Sequence, residues 1–286
     1  MKITVPEITE RFGSIENALC SIIRYCNVLI EKAKKVYPSA SVNDIPGYAL
    51  EFCRKILVQA TTLVKVAHEQ EDLITVYSLV RILADNVSTL KLIYDTEDVE
   101  EKVLRHLLYV MDGVSLRYDY LKDQPKPYDG KIPKETYDAL YVQVQNTKDN
   151  DRGCINYCTN AIKARPDYLT KQQCYDKLIE YRNWKYKTIE KPKPKDAYSW
   201  KELYEKLDAK DVGNMFSYFS QYVHGLSISK ISLDSDEDYD IPMAFAFSLV
   251  GNIFNFLKRE YVPLVGKFTR EELYVLAPEF FVGNEK

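Results

Sequence analysis

Two segments of this chain are apolar enough to be buried on every side, yet each carries a line of polar side chains at helical spacing. The late segment, Val212 to Ser227, sets Asn214, Ser217, Ser220, His224 and Ser227 at spacings of three, three, four and three. That spacing puts them on one helix face, while Met215, Phe216, Tyr218, Phe219, Tyr222, Val223 and Leu226 cover the others. The earlier segment, about Leu73 to Tyr94, has the same design. Thr75, Ser78, Arg81, Asp85 and Ser88 form its polar line, with Leu73, Ile74, Val76, Val80, Leu83, Val87 and Leu90 around it. A charge in such a place is costly unless it is paired. Two seams that face each other make either a structural polar network or an active site. They meet only if two helices more than a hundred residues apart pack in one core.

The rest of the chain supplies that core. Apolar residues make up 46% and charged residues 28% of 286, an ordinary globular balance. The 10 glycines and 12 prolines fall mostly between long stretches of 3.6-residue periodicity, and alternating runs are few. The expected fold is all-α, an antiparallel helical bundle of about eight to ten helices with a basic middle insertion. Tyrosine, at 23 residues, suits half-buried positions with one wet end.

Periodicity and stop signals place the elements. An opening helix is expected from about Ser14 to Val36. A second starts at Asp44-Ile45-Pro46, with proline in its first turn, and runs to about His68. The first seam helix follows. Thr96-Glu97-Asp98 opens a fourth helix that reads to about Leu121, and these four are expected to form one compact unit. Asp123 to Lys134 is turn chemistry, so residues 123–199 read as an insertion within a single helical domain spanning 1–286. The acidic loop Asp234 to Asp240 separates the late seam helix from an apolar helix, Ile241–Arg259.

Several function classes fall away. The net charge of −3 selects no partner. Met1 to Glu7 lacks an apolar signal core, so the six cysteines are expected as free thiols in a cytoplasmic protein. Ile241–Leu257 is shorter than the ~20 residues of a membrane span and contains Asn252 and Asn255. It reads as a core helix, with a dimer interface second, and no membrane partner is expected. Cys154 and Cys158 lack zinc spacing. Asp234-x-Asp236-x-Asp238 begins like a calcium loop, but Tyr239 and Phe245 stand where glycine and glutamate are required. No metal and no cofactor is expected.

Three groups could carry chemistry. Arg81 and Asp85, at i and i+4, can meet on one face with Ser78 and Ser88 beside them. Arg81 is then either a planar fork for phosphate or half of a structural ion pair. His224, one turn after Ser220, is either a general acid or base or a satisfied core histidine. His68 and His106 stand among charged residues and read as surface positions. In the middle region, Asp151 to Trp200 holds 11 Lys/Arg against 6 Asp/Glu, a balance of +5. Arg182, Trp184, Lys185 and Lys187, with Tyr175, Tyr181 and Tyr186 interleaved, have the composition of a single-strand nucleic-acid surface. The competing reading is a solvated charged face.

The two seams, Val80-Arg81-Ile82-Leu83-Ala84-Asp85 and Tyr218-Phe219-Ser220-Gln221-Tyr222-Val223-His224, resemble a bacterial family of uncharacterised helical proteins. Its members carry an early Arg-x3-acid helix and a late Tyr/Ser-rich helix ending in Ser-x3-His. The resemblance covers roughly half the chain. More distantly, the pattern is similar to the HEPN superfamily (higher eukaryote and prokaryote nucleotide-binding) of helical bundles. Many of its members are RNA-cleaving toxins or defence effectors with an Arg, four to six residues, then His on one helix. Here Ser217, Tyr218 and Phe219 occupy the places of that arginine. The resemblance implies a HEPN-like protein acting on RNA or a nucleotide, a defence or toxin effector. Arg81 would hold phosphate, Asp85 would orient Arg81, His224 would move protons, and Ser220 would hold the imidazole or contact substrate. The alternative is a non-catalytic helical interaction module, a homodimer or partner-binding protein, whose seam is purely structural. A weaker third reading is a hydrolase of another small anion.

Overall fold

The structure, a computed structural model, describes residues 10–69, 73–207, 212–223, 239–266, 268, 269 and 272, with 212–214, 216 and 217 described as backbone only. In chain order its α-helices are α1 (Ile15–Lys34), α2 (Ile45–Glu69), α3 (Leu73–Tyr94), α4 (Val99–Leu121) and α5 (Lys134–Lys163). They continue as α6 (Gln172–Tyr181), α7 (Trp200–Tyr204), α8 (Val212–Val223), α9 (Asp240–Glu260) and α10 (Val262–Val265). Extended pairing among the described residues is confined to one antiparallel bridge, Tyr186 with Ala197. The fold class is all-α, as expected.

Local chemistry fixes the helix starts. The Ser14 hydroxyl accepts the Asn17 N–H at 3.1 Å and caps α1. The Asp98 carboxylate does the same for α4, accepting the Glu101 N–H at 3.0 Å. Asp44 accepts the Gly47 N–H at the start of α2. Gly47 is there for space: a Cβ at this position would lie 1.8 Å from the Ser39 carbonyl oxygen. The stripe Leu19, Ile23, Cys26, Ile30 and Ala33 on α1 is buried at spacings of four, three, four and three.

The chain divides into two compact units, Met1–Asp95 with Ser199–Lys286, and Thr96–Tyr198. In the first, α1, α2 and α3 pack in sequence, α9 lies against α1, α3 and α2, and α8 and α7 both lie against α3. Val76, Val80, Leu83, Ala84 and Val87 of α3 are fully buried. Both α3 and α9 are long and apolar enough to cross a membrane, and 56% and 50% of their most apolar stretches are buried in the unit. Asn252 of α9 is buried and satisfied: its amide donates to the Ser248 carbonyl at 2.9 Å, and its oxygen accepts from Lys91 at 3.2 Å. Lys91 in turn faces Asp95 at 3.6 Å, and Arg259 pairs with Asp95.

The second unit corrects the expected grouping. α4 belongs with the middle region, packed along α5, and the break falls after Asp95 rather than at the Pro-rich loop near residue 125. Its core is Leu104, Leu108 and Met111 of α4, Cys158 and Ile162 of α5, and Tyr175 and Leu178 of α6. His106, expected at the surface, is fully buried, whereas the His68 side chain is 71% exposed. Arg105, 2% exposed, ties the unit together. It bonds Glu101 from Nε and Nη2, reaches the Trp184 and Tyr186 carbonyls at 2.8 and 3.0 Å, and lies 4.1 Å over the Tyr186 ring.

Candidate functional site

The seams meet. Aromatic packing seats α8 on α3: Tyr77 stacks on Tyr222 with centroids 4.6 Å apart and lies 4.9 Å from Phe219, which is fully buried. Tyr77 is one turn before Arg81, and Phe219 immediately precedes Ser220. The ring contact therefore sets the two polar residues opposite each other. Arg81 Nε donates to Ser220 Oγ at 2.9 Å, and Nη1 bonds the Asp85 carboxylate. The i,i+4 pair expected from the sequence is thus present, and it is bridged to the second helix.

Two further residues come from α7. The guanidinium lies 4.9 Å over the Tyr204 ring and 5.9 Å over that of Trp200. Those rings are stacked on each other at 6.2 Å. The Tyr204 hydroxyl donates to Asp85 Oδ1 at 2.5 Å. Burial, then the bond to the Asp85 carboxylate, pushes the Tyr204 phenol well above its ordinary value, so it remains a donor. Asp85 therefore takes one bond from a cation and one from a neutral hydroxyl. Sequence reading missed Tyr204 and Trp200. The available signal was Ser199-Trp200-Lys201-Glu202, which closes as a capping box: the Ser199 hydroxyl accepts the Glu202 N–H, and Glu202 accepts the Ser199 N–H.

The expected helpers within α3 do not serve the pair. The Ser78 hydroxyl turns back to the Ile74 carbonyl at 2.8 Å. Ser88 Oγ is buried with no hydrogen-bond partner among the described residues. Their places are taken by Ser220 and Tyr204, which reach across from other helices.

The cluster is not sealed. The Arg81 side chain is 12% exposed and that of Asp85 30%. Among the described residues no hydrogen bond uses Arg81 Nη2. His224 and Ser227, and the side chains of Asn214 and Ser217, lie outside the described residues. Chemically the arrangement offers an oriented guanidinium with donor capacity left over, beside two rings and two hydroxyls.

The middle-region residues form a different picture. Arg182 ends α6 in the left-handed conformation, φ 51°, and faces Asp119 at 3.6 Å. Trp184 is 8% exposed; its Nε1–H donates to Asp112 at 3.3 Å and its ring meets Tyr109 edge-on at 5.3 Å. Burial raises the Asp112 carboxyl, opposed by that bond. Tyr175 and Tyr186 are also buried. These three rings are packing elements of the unit, which corrects the expectation of stackable rings for them, whereas the Tyr181 ring is exposed. Lys185 lies over the Trp184 ring at 5.6 Å and Lys187 over that of Tyr198 at 5.6 Å. Lys187 also lines a cavity of about 660 Å³ with Arg165, but Asp98, Glu100, Glu101, Asp167 and Glu190 line the same space. Five carboxylates against two cations disfavour a phosphate in it. Among the described residues no group of three or more His, Cys, Asp or Glu side chains could hold a metal ion.

Comparison of the chain with protein-family models, with curated proteins and with solved structures finds no match.

Proposed function

We propose that this is a HEPN-like cytoplasmic protein acting on RNA or a nucleotide, with Arg81 as its phosphate-binding group. One observation carries the reading. Arg81 is held from two sides, by Ser220 and Asp85, and still has a terminal nitrogen that no described residue engages. A guanidinium fixed in this way is preorganised to donate to a phosphate oxygen without first losing side-chain freedom. Asp85 orients it, and Tyr204 orients Asp85. His224 stands four residues after Ser220 in the sequence and is assigned the proton transfer. The HEPN arrangement puts its arginine and histidine on one helix; in this proposal the cation comes from α3 instead. Taken by itself, the middle unit offers Arg182, Lys185 and Lys187 as a charged contact for nucleic acid, without base stacking on Trp184.

The test is RNA degradation by the purified wild type and by Arg81→Ala and His224→Ala, with folding followed by urea. Loss of cleavage in both variants with the fold kept supports the proposal. A wild type that cleaves no RNA and binds no nucleotide removes it.

A second reading has its own observation. The Tyr204–Asp85 bond and the ring contacts on Arg81 complete a polar network that would hold α3, α7 and α8 in register with no substrate. The protein is then a non-catalytic interaction module, as a homodimer or bound to a partner. Replacing Arg81 and Asp85 together by apolar residues of similar size separates the two: a structural pair tolerates the exchange, and a substrate site does not.

A further inference from the structure

The second unit carries a pair of thiols that the function above does not use. Cys154 and Cys158 stand at i and i+4 on α5, so their side chains share one helix face. Cys158 is fully buried and Cys154 half-buried, so the pair is approached through Cys154. Asp151, one turn before Cys154, is 1% exposed and is held by Arg117 of α4, with Nε to Oδ2 at 2.9 Å. That ion pair sets both a carboxylate, which opposes a thiolate, and a guanidinium, which favours one, near Cys154. The neighbouring Cys158 thiol, against burial and the Asp151 carboxylate and with the Arg117 guanidinium helping, lowers the Cys154 thiol to about 7, and Cys158 is raised. Cys154 is thus the sulfur that solvent reaches, and Cys158 lies behind it.

Helix geometry selects what the pair can do. Side chains at i and i+4 have Cβ atoms about 5–6 Å apart, whereas a disulfide needs about 3.5–4.5 Å. Direct sulfur–sulfur bonding therefore requires the helix to bend. A single bridging centre does not, because bonds of about 2.3 Å to each sulfur hold the sulfurs roughly 3.3 Å apart when they meet at about a right angle. Structural zinc is excluded by number, since it takes four ligands and the described residues assemble no third one here. We propose that Cys154 and Cys158 form a two-thiol site that captures a soft, thiophilic centre, of the class of trivalent organoarsenicals, by bridging both sulfurs. The softness of thiolate sulfur selects such centres over hard cations. With an arsenoxide the step needs no oxidant: two As–S bonds form, both S–H bonds and the As=O bond break, and the oxygen leaves with both protons as water.

The probe is phenylarsine oxide added to the reduced full-length chain, read by intact mass and peptide mapping. The wild type is expected to take one adduct on the Cys154–Cys158 peptide, with loss of one water. That adduct should survive a glutathione wash and be released by a dithiol. Cys154→Ser, Cys158→Ser and Cys158→Ala should shed it about 100-fold faster, because the second bond acts through effective concentration. Urea unfolding of each variant checks that the helix is kept, and Cys154→Ser, at the half-exposed position, remains informative if a change at Cys158 disturbs the core. An adduct that maps to Cys20 or Cys174, that glutathione removes equally fast from wild type and Cys154→Ser, or that never forms, overturns the proposal.

Discussion

Arg81 and Ser220, 139 residues apart in the chain, are joined by a 2.9 Å hydrogen bond from Nε to Oγ. The bond crosses from α3 to α8 and pairs one residue from each polar line, so that Arg81, Asp85 and Ser220 form one hydrogen-bonded group. Ser220→Ala should leave Arg81 paired with Asp85 but free to swing. The expected cost is small, about 0.5–1.5 kcal/mol in urea unfolding. Under the proposed RNA-directed function, the expected loss of cleavage is larger, about tenfold or more, because orientation and not charge is removed. Equal loss of stability and no change in cleavage would assign Ser220 to packing alone.

Tyr204 reaches the same cluster through Asp85. Tyr204→Phe keeps the ring under Arg81 and removes only the donor. Asp85 is 30% exposed, so water can replace part of the lost bond. Unfolding free energy should fall by about 1 kcal/mol. Tyr204→Ala, which also strips a ring 2% exposed, should cost about 3 kcal/mol or more. Similar values for both variants would mean that the hydroxyl, and not the ring, holds α7 in place.

How much of this could be read from the residues differs from element to element. Ser14, Asp44 and Asp98 announce their helices, because capping is a local exchange between a side chain and the next turn. The meeting of Arg81 with Ser220 could be anticipated, since two polar stripes in apolar helices have few other places to go. Trp200 and Tyr204 could not: α7 is five residues long, too short to display a period, and its place against Asp85 is decided by tertiary packing. The unit boundary was misleading for a similar reason. Gln124-Pro125-Lys126-Pro127 has every mark of a linker, yet it only turns the chain between α4 and α5, which pack together. Arg105 and His106 sit in a charged stretch of sequence and are buried all the same; Glu101 and two carbonyls, not water, satisfy the arginine.

Arg105 is the pivot of the second unit. Arg105→Lys cannot bond Glu101 and two carbonyls at once, because an ammonium lacks the planar fork. The variant should lose roughly 3 kcal/mol or more of unfolding free energy, with the residual charge of Glu101 and two buried carbonyls left poorly satisfied. A loss below about 1 kcal/mol would show that water or Tyr198 substitutes for the guanidinium.

Gly47 tests packing without charge. A methyl group there would meet the Ser39 carbonyl oxygen at 1.8 Å, which the backbone must move to relieve. Gly47→Ala should lower stability by about 1–3 kcal/mol, despite alanine's better helix propensity. A stabilised variant would mean that the turn from Ser39 to Asp44 gives way freely.

Acid should act on Glu51 of α2. Hydrogen bonds from Arg54, aided by Lys34 and opposed by burial, hold its carboxyl at about 2, below its ordinary 4.5. The folded chain thus favours the carboxylate more than the unfolded chain does. The stability this group contributes is complete above about pH 4.5 and is lost as pH falls from there through 2. Glu51→Gln should flatten the fall of the urea midpoint across that window. Parallel curves for wild type and variant would remove Glu51 from the acid response.

Everything proposed for the seam turns on whether Arg81 receives a phosphate. The direct measurement is the affinity of a short single-stranded RNA for wild type and Arg81→Ala as salt is varied, with unfolding followed in parallel. The expected result is binding that weakens with salt in the wild type, at least tenfold weaker binding in Arg81→Ala, and a salt slope reduced by about one. Equal affinity and equal salt slope in the two proteins, with Arg81→Ala merely less stable, would contradict the account and leave Arg81 as a structural cation.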